Sequence, residues 1–160
     1  MKVFISWSGE KSKAVAELFK VWLKSVLQSV KPWVSTDGIE RGQQWLSAIN
    51  EEISTVNMGI ICLTGENKNS PWILYECGSL AKGLSNSRIF TFLIDLRHND
   101  IEMPLAQFNH TLPTKEDIYA LISTINKYLV DPLEKNILDV SFEALWAPFE
   151  KSFSTFYNLR

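Results

Sequence analysis

Very little in this 160-residue chain suits metal or redox chemistry: it has two cysteines, two histidines and no CxxC pair. Cys62 and Cys77 sit inside apolar segments without disulfide-like spacing, so they read as reduced, buried thiols of a cytoplasmic protein. His98 and His110 alone argue against a zinc site. The seven glycines make no Walker loop, and Gly9 stands alone in the first turn, so the dinucleotide fingerprint is missing. A GxSxG elbow is absent too, and neither histidine follows a recognisable nucleophile. A net charge of −2 offers no basic footprint and argues against a nucleic-acid binder. There is no apolar run of transmembrane length, and the chain enters strand-like sequence at Lys2 with no signal peptide. What remains is 46% hydrophobic and 21% charged, the make-up of one ordinary globular domain long enough to bury a core.

The apolar pattern alternates between two periods. Lys2 to Ser6 is a β-branched and aromatic run, a first strand. From Glu10 to Gln28, Val15, Leu18, Phe19, Trp22, Leu23 and Val26 form one helical stripe. Val30 to Thr36 reads as a second strand, and Pro32 within it marks a sheet edge. Asp37 to Gly42 is loop chemistry, followed by a helix over Gln44 to Ser54 with Trp45, Ala48, Ile49 and Ile53 inward. Met58 to Leu63 is apolar throughout, as in a parallel strand covered on both faces. A helix from Pro71 to Gly83, a fourth strand over Arg88 to Leu96 and a weak fifth near Phe108 to Thr111 come next. Lys115 to Tyr128 and Ser141 to Tyr157 are amphipathic helices, the second interrupted by Pro148. Strands alternating with helices predict an α/β, flavodoxin-like three-layer fold. It has a five-stranded parallel sheet in order 2-1-3-4-5, helices on both faces and an extra C-terminal helix. Ligands of such sheets bind outside the carboxyl ends of the strands where the order reverses, which nominates the loops after Ser6 and Leu63.

The second of those loops leads into Ser70-Pro71-Trp72-Ile73-Leu74-Tyr75-Glu76. Ser70 suits a helix cap and Pro71 the first helical position. Trp72 and Glu76 are four apart and share a helix face. Two readings are open. Trp72 is core and Glu76 a solvated acid helped by the helix dipole, or the ring and the carboxylate together grip a sugar and a flat ring. The first loop offers Trp7, Ser8 and Gly9, with Ser8 as a helix cap whose hydroxyl can also meet a polar ligand. One carboxylate is too little for ordinary glycoside hydrolysis, which needs an acid and a base. That objection weakens for NAD+, because nicotinamide leaves as a neutral amide without needing a proton. The inventory permits NAD+ cleavage without demanding it.

The chain resembles a bacterial Toll/interleukin-1 receptor (TIR) domain over about residues 2 to 130. Val3-Phe4-Ile5-Ser6-Trp7-Ser8 is similar to the family's first-strand motif, and Asp37 to Trp45 to its loop after strand 2, the BB loop. Met58 to Thr64 matches the third strand, and Trp72 with Glu76 fits the WxxxE pattern of enzymatically active members. Four such matches in order are specific. The resemblance implies a TIR domain at 1–130, with residues 131–160 as a C-terminal helical extension packed on the same domain or used as an oligomer contact. It implies that Glu76 is catalytic in an NAD+ nucleosidase giving nicotinamide and either ADP-ribose or a cyclic isomer. Trp72 would influence the product, and Ser6, Trp7, Ser8, Asp37 and Arg41 would line the substrate pocket. NAD+ is then substrate, with no cofactor and no metal. Self-association through residues 37–45 and a role in cytoplasmic antiphage defence follow from the same likeness, with no nucleic acid or membrane as partner. Trp7 departs from the tyrosine or small residue common at its position. The alternatives are a non-enzymatic TIR signalling or interaction module, which typically lacks the glutamate, and an enzyme of another nucleoside such as a deoxyribosyltransferase.

Overall fold

A computed structural model describes residues 1–35, 43–85 and 88–158, with the side chains of 43–46 outside that description. Five parallel strands form one sheet: β1 (Lys2–Ser6), β2 (Lys31–Val34), β3 (Met58–Leu63), β4 (Ile89–Leu93) and β5 (Asn109–Thr111), in order β2-β1-β3-β4-β5. The helices are α1 (Glu10–Val26), α2 (Gln43–Thr55), α3 (Pro71–Gly83), α4 (Lys115–Lys127) and α5 (Lys135–Tyr157). The expected doubly wound topology is the one observed.

Strand alternation sorts the interior into two cores. Val3, Ile5, Met58, Ile60, Cys62, Phe90 and Phe92 meet α1, α4 and α5 on one face. Phe4, Ile61, Leu63, Ile89 and Leu93 meet α2 and α3 on the other. All six residues of β3 are buried, because both of its faces are covered.

At the β2 edge, Lys31 N donates to Met1 O at 2.8 Å, and Pro32 stands in register with Val3. Alternation turns the N–H groups of Lys31 and Trp33 to β1 and leaves Pro32, which has none, at the outward position between them. The reading of Pro32 as an edge residue holds. The strand is shorter than Val30 to Thr36, ending at Val34.

Two further boundaries differ from expectation. The cap of α1 is Gly9, not Ser8: its φ of 91° lies in the left-handed region that glycine enters without a Cβ clash, and no side chain caps the helix. The last helix starts at Lys135 rather than Ser141 and runs through Pro148. Pro148 sits on the exposed face, where its missing N–H is tolerated, while Phe142, Trp146, Phe149 and Phe153 continue one buried stripe past it. That stripe packs on α1, with Trp22 and Phe149 ring centroids 4.5 Å apart. Trp22 Nε1 donates to Leu145 O at 3.0 Å, in the turn preceding the proline.

α3 lies close over the sheet at Gly59, where an added Cβ would meet Leu80 Cδ1 at 2.7 Å. Leu80 is fully buried, so its side chain has to shift within the packed layer. Gly59→Val is therefore expected to cost about 1–3 kcal/mol through overpacking, read as a lower Tm in a thermal melt. An unchanged Tm would mean that α3 can lift off the sheet freely.

Candidate functional site

The carboxyl ends of β1 and β3 converge on the first two turns of α3. Ser70 occupies the cap position and Pro71 follows as the first helical residue, as its fixed φ and missing N–H favour. Ser70 Oγ makes no cap bond and lies 3.4 Å from Ser8 Oγ instead. Glu76 comes one turn further in, on the face that α3 turns to the sheet, and its exposure is 0%. The solvated-acid reading of Glu76 is thus overturned: the carboxyl group sits between the buried residues Ile73, Cys77 and the end of β1.

Ser6 is the last residue of β1 and follows Phe4 onto the α2/α3 face, where its hydroxyl donates a hydrogen bond to Glu76 Oε2. Burial pushes the Glu76 carboxyl up to about 8, and hydrogen bonding from Ser6, then Trp72, then Ser35 pulls against that rise. Oε1 is buried, and no described residue meets it with hydrogen-bond geometry. A buried carboxyl oxygen with no geometric partner among the described residues can chemically accept a hydrogen bond or face positive charge.

Trp72 is half-buried on the same helix, one turn before Glu76. Its ring stacks on Tyr75 with centroids 5.6 Å apart and 24° between the planes. Tyr75 in turn donates to Asn50 Oδ1 of α2 at 2.9 Å. The ring next to the carboxyl is therefore braced from the helix that follows the loop after β2.

The strand alternation that aims Ser6 at Glu76 aims Trp7 the other way. Trp7 packs against the α1 core, with Lys13 Nζ 5.5 Å from its ring centroid. The structure brings Ser6, Trp72 and Glu76 together, sets Ser8 beside Ser70 at the entrance to α3, and puts Trp7 on the opposite face. Asp37 and Arg41 lie outside the described residues, as do 36–42 of the loop in which they fall and the Trp45 side chain.

Two residues were not singled out by the sequence reading. Ser35, at the end of β2, is 2% exposed and contributes to the Glu76 environment. The reversal rule nominates only the loops after β1 and β3, so no signal pointed to it. Asn67 is 3% exposed in the loop between β3 and α3 and bonds to several pieces of backbone there. An asparagine in a polar loop is a common turn former, and only the fold shows that this one is buried.

Among the described residues no three His, Cys, Asp or Glu side chains gather as metal ligands would. Among them, too, no helix is long and apolar enough to cross a membrane.

In comparison with known proteins, the family model described as "TIR domain" fits residues 3–120. No curated protein matches. Among solved structures, the azoreductase AzrA aligns over 99% of this chain and 99% of its own at 10% identity. Its TM-score of 0.35 is too low to carry an argument.

The raised carboxyl pKa has a definite consequence for stability. Between about 4.5, the ordinary value, and about 8 the folded protein keeps a proton that the unfolded chain has released. Stability therefore falls as pH rises through that window and levels off above it. Glu76→Gln removes the titration. Relative to the native chain, the variant is expected to gain stability on the order of a few kcal/mol between about pH 5 and about pH 8. Urea melts at the two pH values measure this, and a difference independent of pH would contradict the buried, proton-holding carboxyl.

Proposed function

The chain belongs to the TIR domain family, and on that premise we propose that it is an NAD+ nucleosidase with Glu76 as its catalytic residue. The single observation that carries this reading is the buried Glu76 carboxyl, held by Ser6 on Oε2 and, among the described residues, without a hydrogen-bond partner on Oε1, on the turn of α3 that follows Trp72.

The chemistry runs as follows. The bond between C1 of the ribose and the pyridinium nitrogen breaks, its electron pair goes to the nitrogen, and nicotinamide departs neutral. Positive charge develops on the sugar as an oxocarbenium ion. A carboxylate in a low-dielectric site stabilises that charge far better than it would in water. Glu76 holds its proton at neutral pH while the site is empty, but the fixed charge of the pyridinium favours the ionised form and drives the proton off on binding. Oε1 is then free to accept a ribose hydroxyl, and Trp72 offers a flat surface to a ring. Attack on C1 by water yields ADP-ribose and a proton, whereas attack by the adenine yields a cyclic isomer. Because Glu76 is covered, substrate entry requires displacement of its cover. Self-association through residues 37–45 belongs to the same proposal. So does a role in cytoplasmic antiphage signalling, which rests on family resemblance alone.

Purified protein at high concentration with a crowding agent is expected to release nicotinamide from NAD+, followed by chromatography. Glu76→Gln should lower the rate by about 100-fold or more, with the fold intact by circular dichroism. Trp72→Ala should shift the proportion of linear to cyclic product. Turnover retained in Glu76→Gln would remove Glu76 from the mechanism.

A further inference from the structure

One buried side chain ties together the parts of the backbone that frame this site. The Asn67 amide donates from Nδ2 to Ser8 O at 2.9 Å and to Cys62 O at 3.0 Å. Its Oδ1 accepts from Thr64 N at 2.8 Å, and its own N–H reaches Thr64 Oγ1 at 3.2 Å. Its carbonyl accepts from Ser70 N, the residue at the cap of α3, at 2.8 Å. The turn after β1, the end of β3 and the start of α3 thus meet on a single residue with every amide hydrogen in use. Ser12, also buried, adds a second link: its hydroxyl donates to Cys62 O at 2.9 Å and accepts from Ser8 N at 3.4 Å.

Only asparagine meets this demand. Two N–H groups face two carbonyl oxygens, so an aspartate would set acceptor against acceptor, and an apolar residue would take the side-chain partner from Ser8 O and Thr64 N and leave Cys62 O to Ser12. What the linkage controls is separable from the carboxyl itself. Ser6 is positioned by β1, where it stands in register with Ile61 of β3. Ser8 is beyond the strand, next to the left-handed Gly9, where Asn67 holds its carbonyl and Ser12 its N–H while its hydroxyl faces Ser70.

We propose that Asn67 is a positioning residue of the Glu76 site: it holds the turn after β1 against the entrance of α3, and so keeps Ser8 and Ser70 in contact where substrate is bound. The assignment rests on the NAD+-cleaving reading. It makes Asn67 a determinant of substrate binding and leaves the bond-breaking step to Glu76.

A matched control exists within the same chain. Asn126, 6% exposed, makes a similar paired clasp, donating to Leu133 O at 2.9 Å and accepting from Leu133 N at 2.8 Å. It lies in α4, packed against the opposite face of the sheet. Asn67→Ala and Asn126→Ala both remove a buried clasp and both should lower the Tm. In Asn67→Ala the KM for NAD+ should rise about tenfold, with kcat within about twofold of the native value and the pH midpoint of kcat unmoved. Asn126→Ala should keep the native KM. If Asn67→Ala does not fold, Asn67→Asp replaces it, since it keeps the size and the Oδ1 acceptor while losing both donated bonds. An equal rise in KM in both variants, or a fall in kcat alone, overturns the assignment. Absence of turnover in the native chain overturns the NAD+ reading instead. Amide hydrogen exchange at Ser8 and Ser70 then decides the role of Asn67. Exchange faster in Asn67→Ala than in Asn126→Ala upholds the clasp, and equal exchange overturns it.

Discussion

A parallel sheet covered on both faces forces each successive side chain into a different layer, and that alternation governs everything at the site. Phe4 and Ser6 enter the layer of α2 and α3, and Ile5 and Trp7 face the layer of α1 and α5. A shift of one residue in the register of β1 would bury a tryptophan against Glu76 and turn the serine away. The register is held by pairing on both sides, with β2 and with β3. The placement of Ser6 against Glu76 therefore inherits its precision from apolar packing several residues earlier.

The Glu76 carboxyl shows how one environment serves two states. Desolvation makes an isolated charge there costly and favours the neutral carboxyl group. The same surroundings offer few dipoles to screen a charge once it forms, so an anion meeting a cation inside them interacts strongly. Ser6 contributes in both states because its hydroxyl can donate to either form of the carboxyl group. On the proposed chemistry, stability given up at the site while it is empty is recovered as electrostatic interaction when a cationic substrate arrives.

The elements were legible where the apolar period was long and clean. α1, β3 and α3 emerged from the pattern with boundaries within about two residues, since their buried stripes are unbroken. The start of α5 was not, because Lys135 to Val140 mixes charge with exposed Ile137 and Val140 and carries Leu138 as its only buried residue. Ser8 was read as a cap on residue preference alone, and the backbone turned one residue later at Gly9. Trp72 and Glu76 were recognisable by spacing, but no local pattern tells a buried acid from a solvated one. Burial of Glu76 depends on Ser6 and Ser35, which are 70 and 41 positions away in the chain and become neighbours only through the sheet order. Asn67 escaped for a similar reason: its partners Ser8, in the turn after β1, and Cys62, on β3, are brought side by side only by the fold.

Pro32 has a bearing on how copies of such a domain can be joined. A sheet grows at its margin by offering alternate N–H and C=O groups to an incoming strand. At β2 the outward position that should offer an N–H holds a proline, and the strand is four residues long. At the other margin β5 has three residues. The ladder therefore has poor footing for extension at either end. Filaments built from this chain by continuing the sheet from one copy to the next are disfavoured, and any higher-order array has to be stitched through side chains on helices and loops.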